Sequence, residues 1–495
     1  MTDREGITDK ELAVNFDERL PFRSKLAFGL SQGSINLLQV IALGSAITFY
    51  YNIKLGLSEE WISLAWLLFA FWNALNDPLF GILQESIDTD IGRRIPVLRY
   101  GAPFYVITFL ICWFPFMGST QIALFWNLLL VLFLFDSMFT MVGLVITALP
   151  AEMCITQEAR SNLALYNVIL GSLGGLIGIV LPLILLTDEA TTELNPFFQP
   201  VMVLVAIISG IVLFFSSYAL TENEYARTEE PLPFIASMIQ TVKNREFLVF
   251  EGMNFFREMG FTVVIGSMIY FVQYVVNLQG IMASIPLFAV FFLMLSFSFL
   301  ADRRVKQQGL KQVYIIGLLL TSIGLIFLGI SGSWLIAAIL SLMVVGIGLA
   351  PVTLIWSPLL ADVIDNDEIL TGKRRETTYA GMNALITKPA ISIANALFLL
   401  VISGFGFDNT QSVQSESAIL GIQVAYTMIP AIGFIIGAVV MWRWYRLDGK
   451  EWIAKKVELG KIHLQKEGEY IKHLQREGKI SKVYQKLYRE SQEES

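Results

Sequence analysis

The stretch that decides the fold is Asn76-Asp77-Pro78-Leu79-Phe80-Gly81. It lies inside an apolar run that ends before Arg93 and Arg94. A carboxylate beside proline is costly in hydrocarbon, so an ionisable group there normally faces a cavity and marks an ion or substrate path. Lys388 lies in a second apolar run far along the chain. One buried acid and one buried base, in opposite halves of the chain, suggest a transporter.

The composition indicates a membrane protein. Of 495 residues, 55% are hydrophobic and only 16% charged, whereas soluble domains carry about 25% charged residues. Apolar segments of about 20 residues recur, each long enough to cross a bilayer core. Continuous Leu, Ile, Val, Phe and Ala runs exclude the alternating pattern of a membrane barrel. We therefore expect an all-α membrane protein with twelve transmembrane helices in two six-helix halves.

Charge and proline divide the chain into five parts. Loops on one side hold nearly all the Lys and Arg, and the other side holds only Lys54; such an excess marks the cytoplasmic side. The predicted protein is therefore integral to the plasma (cytoplasmic) membrane with both termini cytoplasmic. The expected parts are a cytoplasmic N-terminal segment (1–23), a six-helix half (24–221), a central cytoplasmic loop (222–245), a second six-helix half (246–446) and a charged amphipathic cytoplasmic tail (447–495).

Enzymatic chemistry finds no support in the sequence. No nucleophile–base set or phosphate loop is present. Both His residues lie in the tail, which leaves no metal-ligand cluster. Cys112 and Cys154 fall in or beside predicted spans and are expected to be small buried hydrophobes. We expect no cofactor, no metal beyond a possible Na⁺, and no nucleic-acid partner. The expected partners are a small-molecule substrate, a coupling cation and membrane lipids. The protein itself is expected to be a monomer.

A candidate cation site lies in the second predicted span. Asn73, Asn76 and Asp77 share one helical face at spacings of three and four residues. Two amide oxygens and a carboxylate suit a hard cation such as Na⁺, and the same carboxylate could instead carry a proton. The competing interpretation is a structural hydrogen-bonding cluster between helices.

The remaining intramembrane polar residues lack partners nearby in sequence. Asp136 and Lys388 must find partners on other helices, either as a fixed ion pair or as one that a bound cation or substrate breaks. Asn36 and Trp356 are candidate substrate contacts, although buried amides and aromatic residues are common in membrane proteins. Arg257 and its neighbour Glu258 could form a gate, a coupling site or a structural pair.

Charges at the cytoplasmic ends of the spans predict a gate. They could form ion pairs that break and re-form as the protein changes conformation, or they could simply be solvated. The predicted gate residues are Arg93, Arg160, Asp362, Asp365, Arg374 and Glu376.

Two stretches together resemble the glycoside–pentoside–hexuronide:cation symporters, the melibiose permease group of the major facilitator superfamily. The first is residues 72–81, which lead to Gly92-Arg93-Arg94, and the second is residues 361–376, followed by Lys388. The resemblance covers about residues 25–445. It implies a major facilitator fold and cation-coupled (H⁺ or Na⁺) symport by alternating access.

The resemblance also implies roles for individual residues. Asp77 and Asn76 match cation-site positions, Asp136 a position that binds sugar hydroxyls, and Lys388 the lysine that couples the two sites. Asp362, Asp365, Arg374 and Glu376 match the cytoplasmic gate. The sequence departs from the pattern at Asn73, Phe133 and Val168, where the family has an acid, a threonine and an arginine. These departures favour a proton on Asp77 over sodium.

The predicted activity is cation-coupled symport of a glycoside or related carbohydrate. One alternative is symport of a lysophospholipid or another amphiphile by the same mechanism. A second is a transporter-like sensor or scaffold that signals through the charged tail.

Overall fold

A computed structural model describes residues 20–87, 89–154, 157–187, 193–222, 234–372, 375–411, 413–460 and 462. Throughout these ranges the secondary structure is helical, without a strand. Loops after odd-numbered helices meet at one end: the Tyr50 hydroxyl, after α1, donates to the Trp113 carbonyl oxygen at the end of α3. We call the end with the loops after α1, α3 and the other odd-numbered helices the odd-loop end, and the opposite end the even-loop end.

Six long helices form the first half of the chain. Their bounds are α1 Phe22–Leu43, α2 Glu59–Glu85, α3 Ile95–Trp113, α4 Gln121–Met153, α5 Gln157–Leu186 and α6 Phe198–Ser216. Two short segments, Ser45–Phe49 and the π-helix Tyr50–Lys54, extend α1 to the odd-loop end. A connecting helix, Phe234–Lys243, then lies within the segment predicted as the central loop.

Six further long helices form the second half. They are α7 Arg245–Gly266, α8 Ile285–Gln308, α9 Leu310–Ser331, α10 Leu335–Thr371, α11 Glu376–Gly404 and α12 Glu416–Trp444. Helix α7 is extended by Met268–Tyr270 and the π-helix Phe271–Val275, and the 3-10 helix Gly280–Ser284 precedes α8. A tail helix follows over residues 450–460.

Hydropathy alone undercounts these spans. Ten described helical segments are long and apolar enough to cross a membrane, and the bent α7 pair adds an eleventh. Helix α2 has 27 residues, but Asn73, Asn76 and Asp77 lower its mean hydropathy. With α2 included, the described residues contain twelve membrane-length helices, as the sequence predicts.

The two halves repeat the same helix pairings. In the first half α1 packs on α5 and α6, α2 on α4, and α3 on α4 and α6. In the second half α7 packs on α11 and α12, α8 on α10, and α9 on α10 and α12. The halves meet where α2 packs on α11 and where α5 packs on the 3-10 helix before α8. This arrangement brings α2, α4 and α11 together at the centre of the molecule.

Glycines allow the closest helix approach in the first half, between α1 and α5. A Cβ atom at Gly174 would lie 2.0 Å from the Gly33 carbonyl oxygen, and one at Gly29 would lie 2.8 Å from the Tyr166 carbonyl oxygen. Small residues of this kind let helix backbones approach in membranes, where packing rather than water exclusion drives association.

Candidate functional site

A lysine from the second half reaches into a polar cluster of the first half at mid-depth. Lys388 Nζ on α11 forms an ion pair with Asp77 Oδ1 on α2. It also donates hydrogen bonds to Asn76 Oδ1 at 3.1 Å and to Thr140 Oγ1 at 3.0 Å. Both charged side chains are mostly buried, with 14% and 13% of their surface exposed. The sequence predicted a partner for Lys388 on another helix, and the structure identifies Asp77.

Asp136 supplies a second acid to the same cluster. It is 1% exposed, and its Oδ2 accepts a hydrogen bond from Asn76 Nδ2. Its Oδ1 lies 4.0 Å from Lys388 Nζ and has no hydrogen-bond partner among the described residues. Two carboxylates beside one ammonium leave one uncompensated negative charge, so the cluster is suited to bind one further cation or proton.

Thr140 links Asp77 and Lys388, and the sequence analysis missed it. It lies one helical turn after Asp136 on α4, and its hydroxyl donates to Asp77 Oδ1 at 3.0 Å while accepting from Lys388. The i, i+4 spacing from Asp136 was the available signal. Hydroxyl groups inside apolar helices more often bond the carbonyl a turn earlier, as Ser137 does with Phe133.

Asn73 contacts the neighbouring helix rather than the Asp77 carboxylate. Its Nδ2 donates to the Lys388 carbonyl oxygen at 3.3 Å, and its Oδ1 has no partner among the described residues. All three predicted side chains therefore contact α11, and Asn76 and Asp77 also contact α4. Of these three, only Asn76 and Asp77 bond the Lys388 ammonium.

Two predicted substrate contacts lie outside this cluster. Asn36 accepts from Gln32 Nε2 at 2.6 Å and donates to the Gly171 carbonyl oxygen at 3.1 Å, so it joins α1 to α5. The Arg257 guanidinium lies over the ring of Trp356 on α10, with its Cζ 5.5 Å from the ring centre. The structure gives neither residue a hydrogen bond to the Asp77–Lys388 cluster, and their assignment to a substrate site stays a prediction.

The charges on α7 form a separate polar cluster in the second half. Arg257 forms an ion pair with Glu258, and its Nε donates to Asn254 Oδ1 at 2.8 Å. Asn254 Nδ2 in turn donates to Asn383 Oδ1 on α11 at 2.7 Å. Arg257 is thus held by its neighbours on α7, and a chain of hydrogen bonds connects it to the helix that carries Lys388.

The even-loop end differs from the predicted gate in the partner of Asp362. This carboxylate accepts from Trp452 Nε1 at 3.0 Å and forms an ion pair with Lys456, both on the tail helix. Arg375, at the start of α11, instead pairs with Asp367 on α10. Arg374 and the side chains of Arg160 and Glu376 lie outside the described residues. A gate that joins them to Arg93 and Asp365 therefore stays a prediction.

The odd-loop end joins the two halves through Asn52, which the sequence analysis did not single out. Asn52 is fully buried. Its Nδ2 donates to Glu59 Oε1 at 2.8 Å, and its Oδ1 accepts from the Tyr270 hydroxyl at 3.0 Å. Asn409 Nδ2 donates to the Asn52 carbonyl oxygen at 3.1 Å. These bonds hold the ends of α1 and α2 against the second half.

Two further contacts close the odd-loop end. Ser403 Oγ donates to Glu60 Oε1 at 2.5 Å, and the Gly280 N–H donates to the Thr187 carbonyl oxygen at 2.7 Å. In the loop that presents Asn409, the Thr410 hydroxyl and N–H lower the pKa of Asp408. Hydrogen bonds between the two halves are thus present at this end and at the Asp77–Lys388 cluster.

Comparison with known proteins places the chain in a family. The protein-family model described as MFS/sugar transport protein matches residues 28–449. The isoprimeverose transporter of Lactiplantibacillus pentosus is 23% identical over 439 residues, which cover 87% of this chain and 89% of the relative. The glucuronide carrier protein homolog of Escherichia coli is 24% identical over 451 residues, 90% and 96% of the two chains.

Solved structures share the fold. The crystal structure of a D-xylose-proton symporter superposes with a TM-score of 0.63 at 16% identity, over 86% of this chain and 98% of that one. A bacterial homolog to the human lysosomal transporter Spinster, in an inward-facing and unoccupied conformation, gives a TM-score of 0.61 at 13% identity, over 87% and 98%. The predicted major facilitator fold is confirmed.

Proposed function

This chain belongs to the MFS/sugar transport protein family, and on that premise we propose that it symports a glycoside or related carbohydrate with a cation, H⁺ or Na⁺. Relatives named as an isoprimeverose transporter and as a putative glycoside/cation symporter support this substrate class. We also propose that the protein works as a monomer in the plasma membrane, with both termini in the cytoplasm.

The observation that carries the proposal is the position of Lys388. Its ammonium lies where a cation would bind, between Asp77, Asn76 and Thr140. The second acid, Asp136, leaves the cluster one negative charge in excess when all three groups are ionised. A proton or Na⁺ on either carboxylate removes that excess and weakens the hold on Lys388, because opposite charges attract strongly where water is scarce.

Release of Lys388 would couple ion binding to movement. Through Lys388, α11 is bonded to α2 at mid-depth. These two helices also form a main contact between the two halves. In transporters built from two repeats, the halves rock against each other around a central site. We propose that Asp77 takes the cation, that Asp136 and the released Lys388 hydrogen-bond the sugar hydroxyls, and that their engagement permits the rocking.

The test is uptake in proteoliposomes, driven by a proton or a sodium gradient, with a panel of sugars and glycosides. We expect gradient-driven uptake in the wild type and its loss in Asp77→Asn, with exchange of substrate without a gradient retained. Asp302→Asn is the matched control, because Asp302 is exposed and pairs with Lys306 on its own helix. It should transport like the wild type.

Three outcomes separate the parts of the proposal. Full ion-coupled uptake in Asp77→Asn would remove Asp77 from the cation site. Ion-driven uptake of lysophospholipids but of no sugar would overturn the substrate class and leave the coupling intact. No ion-driven uptake of either class would overturn the transporter proposal.

A further inference from the structure

Glu251 is a buried acid that the proposed transport cycle does not use. It lies on α7, 2% exposed, and neither carboxylate oxygen has a hydrogen-bond partner among the described residues. An ionised carboxylate without hydrogen bonds is strongly unfavourable in such surroundings. A protonated carboxyl group has no net charge and costs far less. In this conformation the geometry therefore favours a neutral Glu251.

The charges around Glu251 support the same conclusion. Arg257 is the charged group that acts on Glu251, but its guanidinium already pairs with Glu258 and bonds Asn254. Tyr314 on α9 faces Arg257 and Glu258, and its buried hydroxyl has no partner among the described residues. Two acids and one base leave one negative charge in excess unless one acid holds a proton.

We propose that Glu251 is a proton-binding site of the second half, distinct from the Asp77–Lys388 cluster. In the conformation described here the proton resides on a Glu251 carboxylate oxygen. Loss of that proton leaves a carboxylate whose charge, among the described residues, the Arg257 guanidinium is placed to balance, so deprotonation draws Arg257 away from Glu258. The hydrogen bond from Asn254 to Asn383 then transmits the change to α11, five residues before Lys388.

The proton site can be tested without a substrate, so its outcome does not depend on the proposed function. Infrared spectra of the purified protein in lipid, recorded from acid to alkaline pH, show protonated carboxyl groups by their C=O stretch. We expect one glutamic acid band to persist at neutral pH and to disappear at alkaline pH. Glu251→Gln should lose that band, whereas Glu416→Gln, at the exposed start of α12, should keep it.

Persistence of the band in Glu251→Gln, or its absence from the wild type at neutral pH, would overturn the proposal. Should Glu251→Gln not fold, Glu251→Asp retains a carboxyl group and should move the titrating band to the position of aspartic acid. An unmoved band would again assign it to another residue. The role in transport, which does rest on the proposed function, predicts that Glu251→Gln flattens the pH dependence of uptake while substrate exchange continues.

Discussion

At the residue scale, the surroundings of residue 92 explain why a glycine precedes Arg93 and Arg94. The Glu222 carboxylate accepts hydrogen bonds from the backbone N–H groups of Arg93, Arg94 and Ile95, at 2.7, 2.7 and 2.8 Å. It thus binds the first N–H groups of α3, where the helix dipole favours an anion. Gly92 has φ +117°, and a Cβ there would lie 2.3 Å from Glu222 Oε1.

We therefore expect Gly92→Ala to displace the Glu222 carboxylate. Hydrogen bonds to charged groups contribute about 1.5 to 3 kcal/mol each, so the loss of even one should lower the thermal unfolding temperature of the detergent-solubilised protein measurably. Gly406→Ala is the control, because Gly406 also has positive φ, +80°, but has no atom within 4 Å of the added Cβ. Equal destabilisation of the two variants would show that backbone strain, not the Glu222 contact, decides the effect.

Individual residues also differ in how far the sequence reveals their part in the site. Asp77, Asp136 and Lys388 were identifiable because a charge in an apolar run is costly and must have a partner. Which partner each one has could not be read from the sequence, since α2, α4 and α11 come together only through the packing of the whole chain. Thr140 and Asn52 gave no comparable signal, because uncharged polar side chains are tolerated inside helices when they bond nearby backbone.

At the element scale, the long helices were predictable from hydropathy, and the packing of the tail helix on the protein was not. Apolar length identifies a membrane span, but α2 falls short of that criterion because its Asn73, Asn76 and Asp77 belong to the site. The sequence predicts a charged amphipathic tail over residues 447–495 and indicates no packing partner for it on the protein. In the structure it packs on the protein instead, with Trp452 only 6% exposed. The buried Asp362 carboxylate that holds it lies 90 residues away along the chain.

We predict that Lys456→Gln destabilises the second half. Asp362 is 2% exposed, and removal of one partner of a buried ion pair leaves an uncompensated charge, which costs about 3 to 5 kcal/mol in fully buried pairs. Lys456 is 38% exposed, so water screens the pair and we expect a smaller loss, about 1 kcal/mol. Thermal unfolding in detergent measures it. Lys455→Gln, an exposed neighbour on the same helix, should change nothing. Equal stability of both variants would mean that the Lys456–Asp362 ion pair does not anchor the tail helix.

At the scale of the whole molecule, the closed odd-loop end represents one state of a cycle. The two halves repeat the same helix pairings and touch along α2 and α11, so a rocking motion requires this end to open. Every contact there must then break, including the bond from Ser403 to Glu60. Asn52 would lose both of its partners from the second half, Tyr270 and Asn409, and keep Glu59.

A cross-link between the halves at this end should therefore stop transport. We propose Glu60→Cys combined with Ser403→Cys, whose wild-type side chains are in hydrogen-bond contact. The native Cys112 and Cys154 are buried and should not react. Oxidation or a short thiol-specific cross-linker should abolish uptake in the double variant, and a reductant should restore it after oxidation. Each single variant, treated identically, should keep its uptake. If the cross-linked protein transports at the rate of the reduced protein, the two halves do not separate at the odd-loop end, and the transport cycle must open by another route.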